Sequence, residues 1–175
     1  ELAKRLELPI YDRHLITEIA NKTGMSAEEI EKYNEVPKSR LISRRVRGYS
    51  NSIEDNIAEM QFNFIREKAA RGESFIIVGR CADVILDGND YLVRIFISGE
   101  LEMKTARIMA RRNISHDDAQ AEMQRIDKLR RKYHNSHGTA KWGDSRHYDL
   151  CINSSVGTMV LTLCVIRFRL MFIMA

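Results

Sequence analysis

The chain has 175 residues, 44% of them hydrophobic and 30% charged. That is the size of one domain and the balance of a globular protein, which excludes a collagen, a mucin-like stalk and a wholly disordered tail. Against 24 Asp and Glu stand 28 Lys and Arg, a net charge of +4, which suits an anionic ligand without specifying nucleic acid. Cys81, Cys151 and Cys164 form no C-x-x-C pair. So sparse and odd a count argues against a disulfide framework and for a reducing, cytoplasmic setting. No uncharged apolar run approaches the ~18 residues that span a bilayer, and no signal peptide is visible.

Leu2, Ala3 and Leu6 have helical spacing, but no capping residue precedes them. A helix that starts uncapped leaves its first amides unsatisfied, so a segment upstream of Glu1 is expected. Pro9-Ile-Tyr11 predicts a short buried strand. Asp12 closes it and can cap a helix through Leu15, Ile16, Ile19 and Ala20. Ser26-Ala-Glu-Glu29 is a capping box and starts another short helix. Lys38 to Arg47 holds five basic residues and no acid, the pattern of a solvated loop or helix. Ile53, Ile57, Met60 and Phe64 make one apolar helical stripe, which Gly72 ends. Phe75 to Val78 is a continuous apolar run and predicts a central parallel strand. Leu92 to Ile97 predicts a second strand, Glu100 to Arg112 a helix, and Tyr148 to Ile152 a last strand. Residues 159–175 carry only Arg167 and Arg169 as charges. They predict a buried terminal helix, covered by the rest of the chain or by a second subunit in a homodimer. Strands alternating with helices point to an α/β fold with a mostly parallel sheet. In such sheets ligands sit beyond the carboxyl ends of the strands, where Asp12, Gly79-Arg80 and Asn153-Ser154 fall.

Three segments could carry chemistry. After the buried strand, Gly79 permits close backbone approach and Arg80 offers a fork of donors to a phosphate. Ser115 to His134 predicts a helix with Ala119, Met123, Ile126 and Tyr133 on its apolar side. Asp127, Arg130, Arg131 and His134 share another side, as an anion-binding stripe or as a solvated face of ion pairs. Lys141-Trp-Gly-Asp144 holds the single tryptophan, whose commoner role is to anchor packing. His134 and His137 lack a third clear ligand, so no metal site is expected.

The segments Pro9-Ile-Tyr-Asp-Arg-His-Leu-Ile16, Ile76-Ile-Val-Gly-Arg-Cys-Ala-Asp83, Ile126-Asp-Lys-x-Arg130 and Lys141-Trp-Gly-Asp-x-x-x-Tyr-Asp-Leu-Cys-Ile-Asn-Ser-Ser155 occur in this order. Together they resemble the cytidylate-kinase-like branch of the nucleoside monophosphate kinases. The resemblance covers roughly residues 1 to 155. It implies a P-loop α/β core with a helical acceptor region, about residues 12–72, and a helical lid, about residues 113–144, in one domain. It also implies transfer of the γ-phosphoryl of ATP, with Mg²⁺, to a nucleoside monophosphate such as CMP or dCMP. Carried over residue by residue, Asp12, Arg13, Arg80 and Asp83 match the acceptor side. Arg107 and Arg111 lie on the helix leading to the lid, Asp127, Arg130 and Arg131 match the lid's charged motif, and Asn153, Ser154 and Ser155 match the turn near the donor base. Neither nucleic acid nor a membrane is an expected partner.

Two features depart from that pattern. The chain contains no G-x-x-x-x-G-K-[ST], the loop that cradles the donor phosphates. Its C-terminal segment is apolar where the family has a charged amphipathic helix. The chain as written is therefore expected to be inactive as a kinase. The alternative is a non-catalytic nucleotide-sensing or interaction domain on the same fold. A third reading, a nucleic-acid-binding module built on the basic runs, lacks interleaved stacking aromatics.

Overall fold

The computed structural model describes residues 2–12, 15, 19–20, 26, 28, 45–46, 49–50, 53–156 and 171–174. Its elements run α1 (Leu2–Leu6), β1 (Ile10–Tyr11), β2 (Arg45–Val46), β3 (Tyr49–Ser50), α2 (Ile53–Ala70), β4 (Ile76–Val78), α3 (Ala82–Ile85), β5 (Leu92–Ser98), α4 (Leu101–Arg112), α5 (His116–His137), β6 (Leu150–Asn153) and β7 (Met171–Met174). Single 3₁₀ turns occupy Ser145–His147 and Ser154–Val156.

Among the described residues one sheet has five strands in the order β1-β4-β7-β5-β6. Every neighbouring pair is parallel, so all five carboxyl ends lie along one edge. Successive side chains on a strand point to opposite faces, and β4 shows it. Ile77 joins Tyr11, Ile57, Phe64, Ile65 and Phe75 on the face covered by α2. Ile76 joins Ile95 and Ile152 on the face where Leu2, Ala3 and Leu6 of α1 pack. Helices on both faces of a parallel sheet are the expected α/β layering.

The helix stripe of α2 is wider than its periodicity predicts. Ile57 and Phe64 are buried, and so are Ala58, Gln61, Phe62 and Ile65. The excess arises because Ala58 and Phe62 pack on a second cluster with Cys81 and Tyr133. Gly72, at φ +70°, ends the helix region in a left-handed turn, as glycine does at little steric cost.

Three expectations are corrected. The predicted terminal helix over residues 159–175 is not found at its end, because Met171–Met174 is a strand, parallel to both β4 and β5. A short continuous apolar run serves a buried strand as well as a buried helix, and periodicity cannot separate the two. Residues 159–170 lie outside the described residues. The basic segment Lys38 to Arg47, read as loop or helix, contains β2, which pairs antiparallel with Tyr49–Ser50; the rest of it lies outside the described residues. The strand at Ile10–Tyr11 is at the sheet's edge, so Ile10 is 44% exposed while Tyr11 is buried.

The helix predicted after Asp12 is seen at Leu15, Ile19 and Ala20, all helical and buried. The helix expected to start at Ser26 lies mostly outside the described residues. Among the described residues no helix is long and apolar enough to cross a membrane.

Candidate functional site

Strand β4 runs out at Val78 into three consecutive residues with positive φ, namely Gly79 (+73°), Arg80 (+60°) and Cys81 (+52°). This left-handed stretch turns the chain sharply into α3. Arg80 is only 4% exposed and Asp83 is buried one turn on. Together with the end of β5, the turn walls a cavity of about 350 Å³. Lys104 of α4, Asp127, Arg130, Tyr133 and His134 of α5, and Trp142 close it. The cavity thus lies at the carboxyl ends of β4 and β5, where open parallel sheets bind ligands.

The walls are held by specific contacts. His134 Nε2 and Asp83 Oδ2 are 2.7 Å apart, with both side chains buried. Burial disfavours the imidazolium, but the hydrogen bond and negative charge of Asp83 outweigh it and raise the His134 pKa above its ordinary value. The pair clamps α5 to the turn that carries Arg80. Lys104 Nζ lies 3.5 Å from Asp127 Oδ2, joining α4 to α5. Ser115 caps α5 by accepting from the Asp118 amide at 3.1 Å, and Asn113, at φ +53°, ends α4.

A second cleft of about 290 Å³ lies between α4 and α5. It is lined by Lys104, Arg107, Arg111, Arg112 and Arg130 against Glu122 and Asp127. Arg112 is bound to Glu122 at 2.7 Å, and Arg125, with Arg112, holds that carboxylate below its usual range. Lys104, Asp127 and Arg130 line both clefts.

The expected site residues therefore separate into groups. Arg80, Asp83, Asp127 and Arg130 meet in the first cavity, and Arg107 and Arg111 line the second. Arg131 instead lies over the Trp142 ring, 5.9 Å from its centroid, and lines neither cleft. Asp12 stands at the end of β1, where its carbonyl accepts from the Leu15 amide at 3.3 Å. Arg13 lies outside the described residues. Asn153, Ser154 and Ser155 tie down the β6 end: Ser154 Oγ donates to the Ser98 carbonyl at 2.8 Å, and Ser155 Oγ accepts from the Glu100 amide at 2.7 Å. Lys104 escaped the sequence reading, although its spacing of three and seven from Arg107 and Arg111 puts it on their helix face. The Asp83–His134 pair, 51 residues apart, left no local signal.

A model of the cytidylate kinase-like family matches residues 1–156. The chain belongs to the cytidylate kinase-like family. The crystal structure of an uncharacterized protein from Eubacterium ventriosum ATCC 27560 is similar to it, at 34% identity and a TM-score of 0.68, covering 93% of this chain and 86% of that one. No curated protein matches it. In this cytidylate kinase-like chain, the α4–α5 clefts lie in the last two thirds of the matched region.

Mg²⁺ needs several oxygen ligands. Among the described residues no three His, Cys, Asp or Glu side chains gather as a metal site. Mg²⁺ carried on nucleotide phosphates needs only one or two protein carboxylates beside phosphate and water oxygens, and Asp127 lines both clefts. The basic residues suit anions, Arg80 in the first cavity and Arg107, Arg111 and Arg130 around the second.

Proposed function

We propose that this chain binds a nucleoside monophosphate, CMP or dCMP, in the first cavity, as the acceptor in phosphoryl transfer from ATP. The supporting observation is that two adjoining clefts share Lys104, Asp127 and Arg130. Acceptor and donor phosphates held in neighbouring clefts would meet at these residues. Phosphoryl transfer needs positioning and positive charge more than covalent chemistry. In this reading Arg80 and Asp83 face the acceptor, with Asp12 and Arg13 from the family motif. Arg107 and Arg111 take donor phosphates, and Asn153, Ser154 and Ser155 support the turn near the donor base. Arg130, common to both clefts, neutralises the moving phosphoryl, and Asp127 orients Lys104.

The 175 residues contain no G-x-x-x-x-G-K-[ST] motif, so a polypeptide of these residues alone has a second reading, a nucleotide-binding domain that does not turn over. Calorimetry with CMP tests the acceptor site, which both readings require, while Mg·ATP binding and an assay for CDP test the donor side and turnover. The 175-residue chain is expected to bind CMP, to bind Mg·ATP weakly and to form no CDP. Tight Mg·ATP binding or turnover would show that other residues supply the donor cradle; no CMP binding would remove the acceptor reading. In any form of the protein that turns over, Arg130→Ala should lower kcat and kcat/KM together, by roughly 10²-fold or more. A change in KM alone would make Arg130 a ground-state binder.

A further inference from the structure

Along α5 the wall of the first cavity changes character. Asp127 and Arg130 come first, then Tyr133 and His134 one turn on, and Trp142 follows beyond the helix end. From Asp127 to Tyr133 the helix rises about 9 Å, so charged and aromatic walls succeed one another within one cavity. We propose that Phe96, Tyr133 and Trp142 form a subsite for the planar base of the nucleotide whose phosphate Arg80 holds. This rests on the acceptor reading above and assigns the base to the aromatic part of the cavity wall, from β5, α5 and the segment after α5.

The aromatic wall is already organised. Phe96 and Trp142 meet edge to face, with centroids 5.5 Å apart at 81°. Phe96 also packs on Tyr148 at 5.0 Å. The Trp142 amide donates to Asn135 Oδ1 at 2.9 Å, and the Arg131 guanidinium lies over the indole. Gly143 has φ +81°, and a Cβ there would sit 3.3 Å from the Phe96 ring, so the backbone runs close beneath this cluster. Tyr133 is buried. A wall fixed in this way loses little freedom when a flat ring settles on it, and bases pack favourably on aromatic side chains whatever their sequence. Arg131 accordingly acts as a positioning residue, by holding Trp142, and not as a phosphate ligand.

Trp142 is the single tryptophan, so its emission reports on the subsite alone. Titration of the 175-residue chain with CMP should shift that emission, whereas ribose 5-phosphate, which has no base, should bind by calorimetry without shifting it. Trp142→Leu should weaken CMP binding roughly tenfold and leave ribose 5-phosphate binding unchanged, and Trp142→Phe should restore most of the loss. Equal weakening of both ligands by Trp142→Leu would make the indole a structural anchor and overturn the subsite. CMP binding with unchanged emission and unchanged affinity in Trp142→Leu would also overturn it, while leaving the acceptor reading intact. If neither ligand bound, both would fall together.

Discussion

Arg80 occupies a backbone conformation that side chains with a Cβ seldom adopt. Its φ of +60°, followed by +52° at Cys81, costs on the order of 1 kcal/mol per residue. The turn that bears this strain is the one that delivers a buried guanidinium to the cavity. Removing that group should cost the acceptor phosphate a charge-assisted contact. Arg80→Ala is expected to weaken CMP binding by about 2 kcal/mol, read by calorimetry. Arg80→Lys should recover only part, because an ammonium lacks the planar fork. Unchanged affinity in both variants would take Arg80 out of the site.

His134 is the second residue on which the cavity depends. Its pKa is raised in the folded state, against burial, by Asp83. The stability it contributes is therefore fully present below its unfolded value of about 6.5 and is lost as pH rises through the folded pKa. Replacing it by Leu leaves Asp83 buried without its partner, a loss of about 3 kcal/mol for a pair of this kind. Urea unfolding of wild type and His134→Leu should show the larger gap at low pH and a narrowing gap in alkali. A gap independent of pH would mean that the pair is not ionic.

At the scale of elements, α5 shows how local signals and packing divide the work. Its start was legible, because Ser115 caps it through the Asp118 amide. Its apolar side was legible too, since Ala119, Met123 and Tyr133 are buried. Its end follows from contact with α3. Gly138 has φ −139°, ordinary extended backbone, yet a Cβ there would lie 2.7 and 2.9 Å from the two γ-methyls of Val84. Valine is stiff at χ1 and cannot swing aside cheaply. Gly138→Ala should therefore destabilise the protein by about 1–3 kcal/mol, seen as a lower Tm. Adding Val84→Ala should recover much of the loss; no recovery would place the strain elsewhere. The stripe of α2 was half legible for a related reason. A hydrophobic period marks one face, but Ala58 and Phe62 are buried in a second cluster that no local pattern encodes.

At the scale of the whole molecule, the centre of the sheet comes from the far end of the chain. Strand β7 pairs with β4 through Ile76↔Phe172 to Val78↔Met174, and with β5 through Leu92↔Met171 to Ile95↔Met174. It joins the half that carries Arg80 to the half that carries Phe96. Proline cannot donate to a ladder and is excluded from central strands. Ile173→Pro should cost about 3 kcal/mol or more and lower Tm sharply by circular dichroism, with Ile173→Val as a mild control. Equal melting of the two variants would remove β7 from the sheet.

The sequence by itself determined the layering, because continuous apolar runs and amphipathic helices each admit few arrangements. It also placed the candidate ligand edge, since strands alternating with helices put Gly79-Arg80 at a carboxyl end, and the ordered motifs pointed to the family. Only the tertiary structure decided which of those motif residues meet. Arg130 and Arg131 are neighbours in sequence, yet successive helix positions point about 100° apart; one lines both clefts and the other lies over Trp142. The same holds for Asp83 and His134, and for the strand at Met171–Met174. Pairing between positions far apart in the chain depends on the packing of the whole sheet and its helices, and no local period or turn signal records it.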